Sequence, residues 1–119
     1  MIHERRKVAK IVEELTIFFF SVGATKMTSS IEYDGSVANI SFESDFDPEH
    51  KNKVKELEKY LNEPKNVGME DIYWELAGTS DPGEPGELLL LGMMIDCAEV
   101  SIGETFAELK LHKDLIERL

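Results

Sequence analysis

The sequence predicts an α+β fold: a two-layer sandwich in which a mixed or antiparallel sheet of four or more strands packs on helices, in the order α-β-β-α-α-loop-α-β-β. Three observations predict it. Apolar residues recur at helical spacing over residues 3–22. Two later stretches alternate apolar and polar residues as paired strands. A loop of three glycines and two prolines in nine residues, Gly-Thr-Ser-Asp-Pro-Gly-Glu-Pro-Gly, separates the helical middle from the last apolar helix. At 119 residues, 42% hydrophobic and 31% charged, the chain fits one domain, 1–119, with one continuous core.

Each element follows from its residues. In the first helix Val8, Ile11, Val12, Leu15, Phe18, Phe19 and Val22 form one apolar stripe, while Arg5, Arg6, Lys7, Lys10 and Glu14 occupy other faces. Gly23 is the expected stop. Strands follow at 26–33 and 37–43, with Asp34-Gly35 as the hairpin signal. Ile31 and Tyr33 share one face, as do Ala38, Ile40 and Phe42; Ser30, Glu32, Asn39 and Ser41 face the other way, so one face of the sheet is wet. Asp47 is the expected N-cap of the next helix, with Pro48 in its first turn. That helix runs to about residue 61 on Val54, Leu57, Tyr60 and Leu61, and Glu63-Pro64 ends it. A shorter helix is predicted near 69–77, the loop over 78–86, and a buried helix over 87–98. Strands near 99–103 and 105–112, with Val100 and Ile102 matched to Ala107, Leu109 and Leu111, close the chain before a short amphipathic tail.

The charge is strongly acidic: 24 acidic against 13 basic residues, formally −11. Such an excess repels nucleic-acid backbones and anionic lipid surfaces, so neither nucleic acid nor membrane is an expected partner. The single cysteine, Cys97, permits no internal disulfide, which suits a reducing compartment. With no signal-peptide pattern and no apolar run long enough to span a bilayer, the expected location is cytoplasmic.

Two stretches carry a family resemblance: Val12-Glu13-Glu14-Leu15, and Pro85-Gly86-Glu87-Leu88-Leu89-Leu90-Leu91-Gly92-Met93-Met94-Ile95-Asp96-Cys97-Ala98-Glu99-Val100. Together with the element order they resemble the histidine-kinase-like ATPase fold (the GHKL or Bergerat fold), and within it the anti-sigma-factor serine kinases. The resemblance implies a catalytic base at Glu13 or Glu14, an adenine-reading carboxylate at Asp45 and a phosphate turn at Gly86. It also implies damage. The asparagine that would hold Mg²⁺ one turn after the glutamate is replaced, counting from Glu14, by Phe18, which cannot ligate a hard cation. Asp47 and Glu49 stand where the adenine box needs glycines, and Glu87 and Leu89 where the phosphate turn needs them.

Charge gives the same answer without any family. Between residues 66 and 109 there is no Lys, Arg or His, but there are ten carboxylates. Residues 27–49 carry only acidic charge. A triphosphate there meets repulsion, and each ~1.4 kcal/mol of it weakens binding about tenfold. The expectation is therefore no ATP and no Mg²⁺.

Other constellations have plainer readings. Glu13 and Glu14 read as a solvated or capping face. Asp45, Asp47 and Glu49 read as a strand end with a helix cap rather than a Ca²⁺ or Mg²⁺ site, since EF-hand length and glycine are missing. His3, His50 and His112 lack metal-ligand spacing. Cys97, placed in a buried helix beside Asp96, reads as an unreactive structural thiol. Thr79-Ser80 reads as plain loop, and Met93-Met94 as core filling. The Phe18-Phe19-Phe20 run exceeds what one apolar stripe needs, and the corresponding helix of the anti-sigma relatives helps build a dimer.

The expected function is thus a regulatory, protein-binding module on a degenerate kinase-like ATPase fold, without phosphotransfer. Its partner is another protein or itself as a homodimer, with Ile17, Phe18, Phe20, Asp81 and Glu84 as contact candidates. Two other readings are an ATP-dependent serine kinase of anti-sigma type, and an α+β protein that stores a small apolar ligand.

Overall fold

A computed structural model of the protein describes residues 2–62, 91–92 and 94–115. Helix α1 spans Ile2–Ser21, strand β1 Met27–Asp34, strand β2 Val37–Asp45, a 3₁₀ turn Pro48–His50, helix α2 Lys51–Leu61, strand β3 Cys97–Ile102 and strand β4 Phe106–Asp114. The four strands form one antiparallel sheet in the order β1-β2-β4-β3. Two hairpins are therefore joined edge to edge through β2 and β4. The α+β two-layer expectation holds. The helix predicted near 69–77, the loop over 78–86 and the terminal tail lie outside the described residues.

Helix α1 ends where Gly23 was read as a stop. Gly23 takes a φ of 85°, its N–H donates to the Phe20 carbonyl and the Ala24 N–H to the Phe19 carbonyl. This paired closure leaves the last carbonyls satisfied, and the left-handed residue between them has no steric cost as glycine. The first hairpin turns on Gly35-Ser36, with Asp34 paired to Val37. Gly35 has a φ of 64° and Ser36 is not left-handed, as a two-residue type II′ turn requires. Asp47 caps the 3₁₀ turn by accepting the Glu49 N–H at 2.9 Å, with Pro48 following it; it caps this lead-in turn and not α2 itself, which starts after His50 without a side-chain cap.

The core lies between the helices and one face of the sheet. Val8, Ile11, Leu15, Phe18, Phe19 and Val22 from α1 meet Ala38, Ile40 and Phe42 from β2 and Ala107, Leu109 and Leu111 from β4. From α2, Val54, Leu57 and Leu61 join them, as do Leu91, Met94 and Ile95. Phe19 stacks on Phe42 with centroids 5.5 Å apart and meets Phe18 edge-on at 5.2 Å. The predicted match of the last two strands is seen in register: Val100 faces Leu109 and Ile102 faces Ala107.

Three sequence expectations need correction. The helix expected over 87–98 gives way earlier, because Cys97 already opens β3. The Asp96 N–H donates to the His112 carbonyl, and the Asp114 N–H to the Asp96 carboxylate, so the ladder claims residues whose apolar neighbours suggested helix. Cys97 is consequently an exposed residue of the wet face and not a buried helical thiol. Glu14, read as part of a solvated or capping face, is buried, and so is Lys7, which was placed off the apolar stripe. They flank the apolar line of α1, and that helix is covered more broadly than its stripe implies.

Candidate functional site

Two regions bear on function: the corner where β2 ends, and the exposed flank of β1. At the corner, Asp45 terminates β2 beside the segment that leads from α1 into β1. Its Oδ1 accepts the Thr25 N–H at 2.7 Å and the Lys26 N–H at 3.0 Å, and its Oδ2 accepts the Thr25 hydroxyl. The Thr25 hydroxyl, then the Lys26 and Thr25 amides, hold its carboxyl below the usual aspartate range. The carboxylate that the family resemblance reserves for adenine thus organises its own chain. The same corner is closed by the Asp47 N–H donating to the Val22 carbonyl and the Phe46 N–H to the Thr105 carbonyl.

The two glutamates of α1 have different surroundings. Glu13 is exposed, with Lys10 Nζ 3.9 Å from its carboxylate. Glu14 is buried, and Lys10 Nζ lies 2.9 Å from its Oε1. The distance is that of an ion pair. One turn on, Phe18 is only 3% exposed and packs in the core, so it is withdrawn from the contact surface proposed for it. Ile17 is half-buried, and Phe20 is 63% exposed. Asp81, Glu84 and Gly86 lie outside the described residues. Among the described residues no group of three or more His, Cys, Asp or Glu side chains converges as metal ligands, and no helix is long and apolar enough to cross a membrane.

The second region was not singled out from sequence. Ile31 and Tyr33 lie opposite Ile40 and Ala38, on the side of the sheet that the helices cover. Yet Ile31 is 41% and Tyr33 54% exposed, while Ile40 and Ala38 are buried. Helix α1 lies over β2, so its cover stops short of β1. Arg5 reaches over this flank, its guanidinium 5.7 Å from the Tyr33 ring centroid, at cation–π range. A hint was present: Met27-Thr28-Ser29-Ser30-Ile31-Glu32-Tyr33-Asp34 is poor in apolar residues, as an edge strand tends to be. At the opposite end of the sheet, Phe106 is also exposed and pairs with Asp45.

The outer face is polar throughout its middle. One row across it runs Glu32, Asn39, His112, Cys97, with His112 Nδ1 bonded to the Asn39 carboxamide oxygen. A depression of about 170 Å³ on β3 and β4 is lined by Glu99, Val100, Ser101, Glu108 and Lys110, and involves neither α1 nor Asp45. Comparison with protein-family models, curated proteins and solved structures finds no match.

Proposed function

We propose that the chain is a regulatory protein-binding module, built on a degenerate form of the histidine-kinase-like ATPase fold and without phosphotransfer. The observation that carries this reading is the bare inner flank of β1, where Ile31 and Tyr33 stand exposed on the face that elsewhere forms the core. Exposed apolar side chains grouped on one element are the usual mark of a contact surface. The chemistry of the corner supports the same reading. Asp45 spends both carboxylate oxygens on Thr25 and Lys26, Glu14 is buried against Lys10, and Phe18, which the resemblance sets where a metal ligand would stand, is buried in the core.

Two measurements test the proposal. Calorimetric titration with ATP or ADP plus Mg²⁺ is expected to give no binding heat; tight binding overturns the reading in favour of a working kinase. At concentrations where the chain is monomeric, Ile31→Ser and Tyr33→Ser are each expected to cost no more than about 1–2 kcal/mol, the loss of strand propensity and of the Arg5 contact at half-exposed positions. A loss of several kcal/mol would assign both side chains to the fold rather than to a partner.

A further inference from the structure

We infer that β1 is a homodimer edge: two copies of this chain pair their β1 strands antiparallel about a two-fold axis at Ser30, making one continuous sheet. The inference rests on the protein-binding reading above and names the partner as a second copy.

Among the described residues the edge is open and regular. Seven of the eight β1 residues are exposed, and the strand holds an unbroken register with β2. It has no proline and no bulge, and its inward positions Met27, Ser29, Ile31 and Tyr33 carry no charge. These are the devices by which proteins normally block edge pairing, and β1 lacks them.

The strand is also complementary to itself when reversed. Lys26 continues β1, its carbonyl accepting the Asp45 N–H. An axis at Ser30 puts Lys26 opposite the partner's Asp34, Thr28 opposite the partner's Glu32, and Ser30 opposite its own copy, all on the outer face. On the inner face it puts Met27 opposite the partner's Tyr33, and Ser29 opposite the partner's Ile31. The result is two Lys–Asp pairs, no opposed like charges, and one apolar strip formed from both bare flanks. Opposite charges facing across strands stabilise, and like charges destabilise. Moving the axis to Glu32 opposes that carboxylate to its copy. Moving it to Ile31 takes Lys26 off Asp34 and sets it against Ser36.

The helices permit the join. Each α1 lies over its own β2, so the two are three strand spacings apart, about 14 Å. That exceeds the roughly 8–10 Å of directly packed helices, so they do not clash. The gap between them is floored by Ile31 and Tyr33 of both copies and flanked by Arg5 over Tyr33.

Sedimentation across a concentration series tests this with the full chain. Wild type is expected to dimerise reversibly. Lys26→Glu should weaken the dimer about tenfold, because both symmetry-related pairs become repulsive. Combining Lys26→Glu with Asp34→Lys should restore it, with thermal midpoints showing that each variant is folded. Independently, Ser30→Cys in a Cys97→Ser background should form a disulfide-linked dimer on mild oxidation, and Glu32→Cys in that background much less. A monomer at every concentration overturns the inference, as does a dimer indifferent to Lys26→Glu or not rescued by the double exchange. Such a failure leaves the wider reading standing, because the nucleotide titration and the Ile31 and Tyr33 stabilities judge that separately.

Discussion

A β-carbon at position 92 would lie 2.0 Å from the Tyr60 carbonyl oxygen and 2.9 Å from the Tyr60 carbonyl carbon. Gly92 is therefore the point where the apolar segment before β3 touches the C-terminal turn of α2. Gly92 is helical, and helix propensity alone would favour alanine there by about 1 kcal/mol. Sterics oppose that, because the obstructing atoms are backbone and cannot swing aside. Overpacking typically costs about 1–3 kcal/mol, and this contact belongs at the upper end or beyond. Gly92→Ala should lower the denaturant midpoint. An unchanged or raised midpoint would mean that α2 and the segment can separate freely.

Gly35 gives the opposite test. Nothing lies within 4 Å of a β-carbon there, but its φ is 64°. Space is free and only backbone conformation resists. Gly35→Ala should cost about 1–3 kcal/mol, because the first central position of a type II′ turn takes a backbone conformation that suits glycine and strains an L-residue. Urea unfolding should show a lower midpoint and an unchanged slope, since the hairpin stays native.

The three consecutive phenylalanines should divide sharply. Phe18 and Phe19 are buried and Phe20 is mostly exposed. Phe18→Ala and Phe19→Ala should each cost about 3–5 kcal/mol through the cavity left behind. Phe20→Ala should stay within about 0.5 kcal/mol. A double-mutant cycle of Phe19 with Phe42, which stack at 5.5 Å, should show a coupling of about 0.5–1.5 kcal/mol. Equal losses at all three positions would place Phe20 inside the fold.

The elements were legible wherever a local signal defined them. The stripe of α1, the stop at Gly23, the cap at Asp47 and the pairing of Val100 with Leu109 all follow from spacing or from one residue's conformational needs. What was hidden depends on contacts remote in sequence. Alternation shows that Ile31 and Tyr33 share a face, but not that α1 leaves that face uncovered. A lysine or glutamate beside an apolar stripe reads as solvated, and only tertiary cover sinks Lys7 and Glu14. The joining of the hairpins through β2 and β4 has no local mark. Cys97 was misplaced because leucines before it extend a helical pattern past the point where the ladder takes over. The isolated glycine in that apolar run was the one overlooked sign of the close approach at Tyr60.

Asp45 makes the stability of the α1–β1 corner dependent on pH. Its carboxylate is the acceptor for the Thr25 hydroxyl and for the Lys26 and Thr25 amides, and these bonds hold its pKa below the usual range. A carboxyl depressed on folding contributes stability above its unfolded pKa and loses it as pH falls through the folded value. Thermal midpoints recorded from neutral to acid pH should therefore separate wild type from Asp45→Asn. At neutral pH the wild type should be the more stable, since charged acceptors bond more strongly than neutral ones. As the medium acidifies past the ordinary aspartate range the gap should shrink, because only the wild type carries a carboxyl at position 45. Glu104, lowered by Lys51 at the adjoining β3–β4 turn, is present in both proteins and cancels from the comparison. Curves that run parallel to the acid limit would show that the Asp45 bonds contribute nothing specific to its charged form.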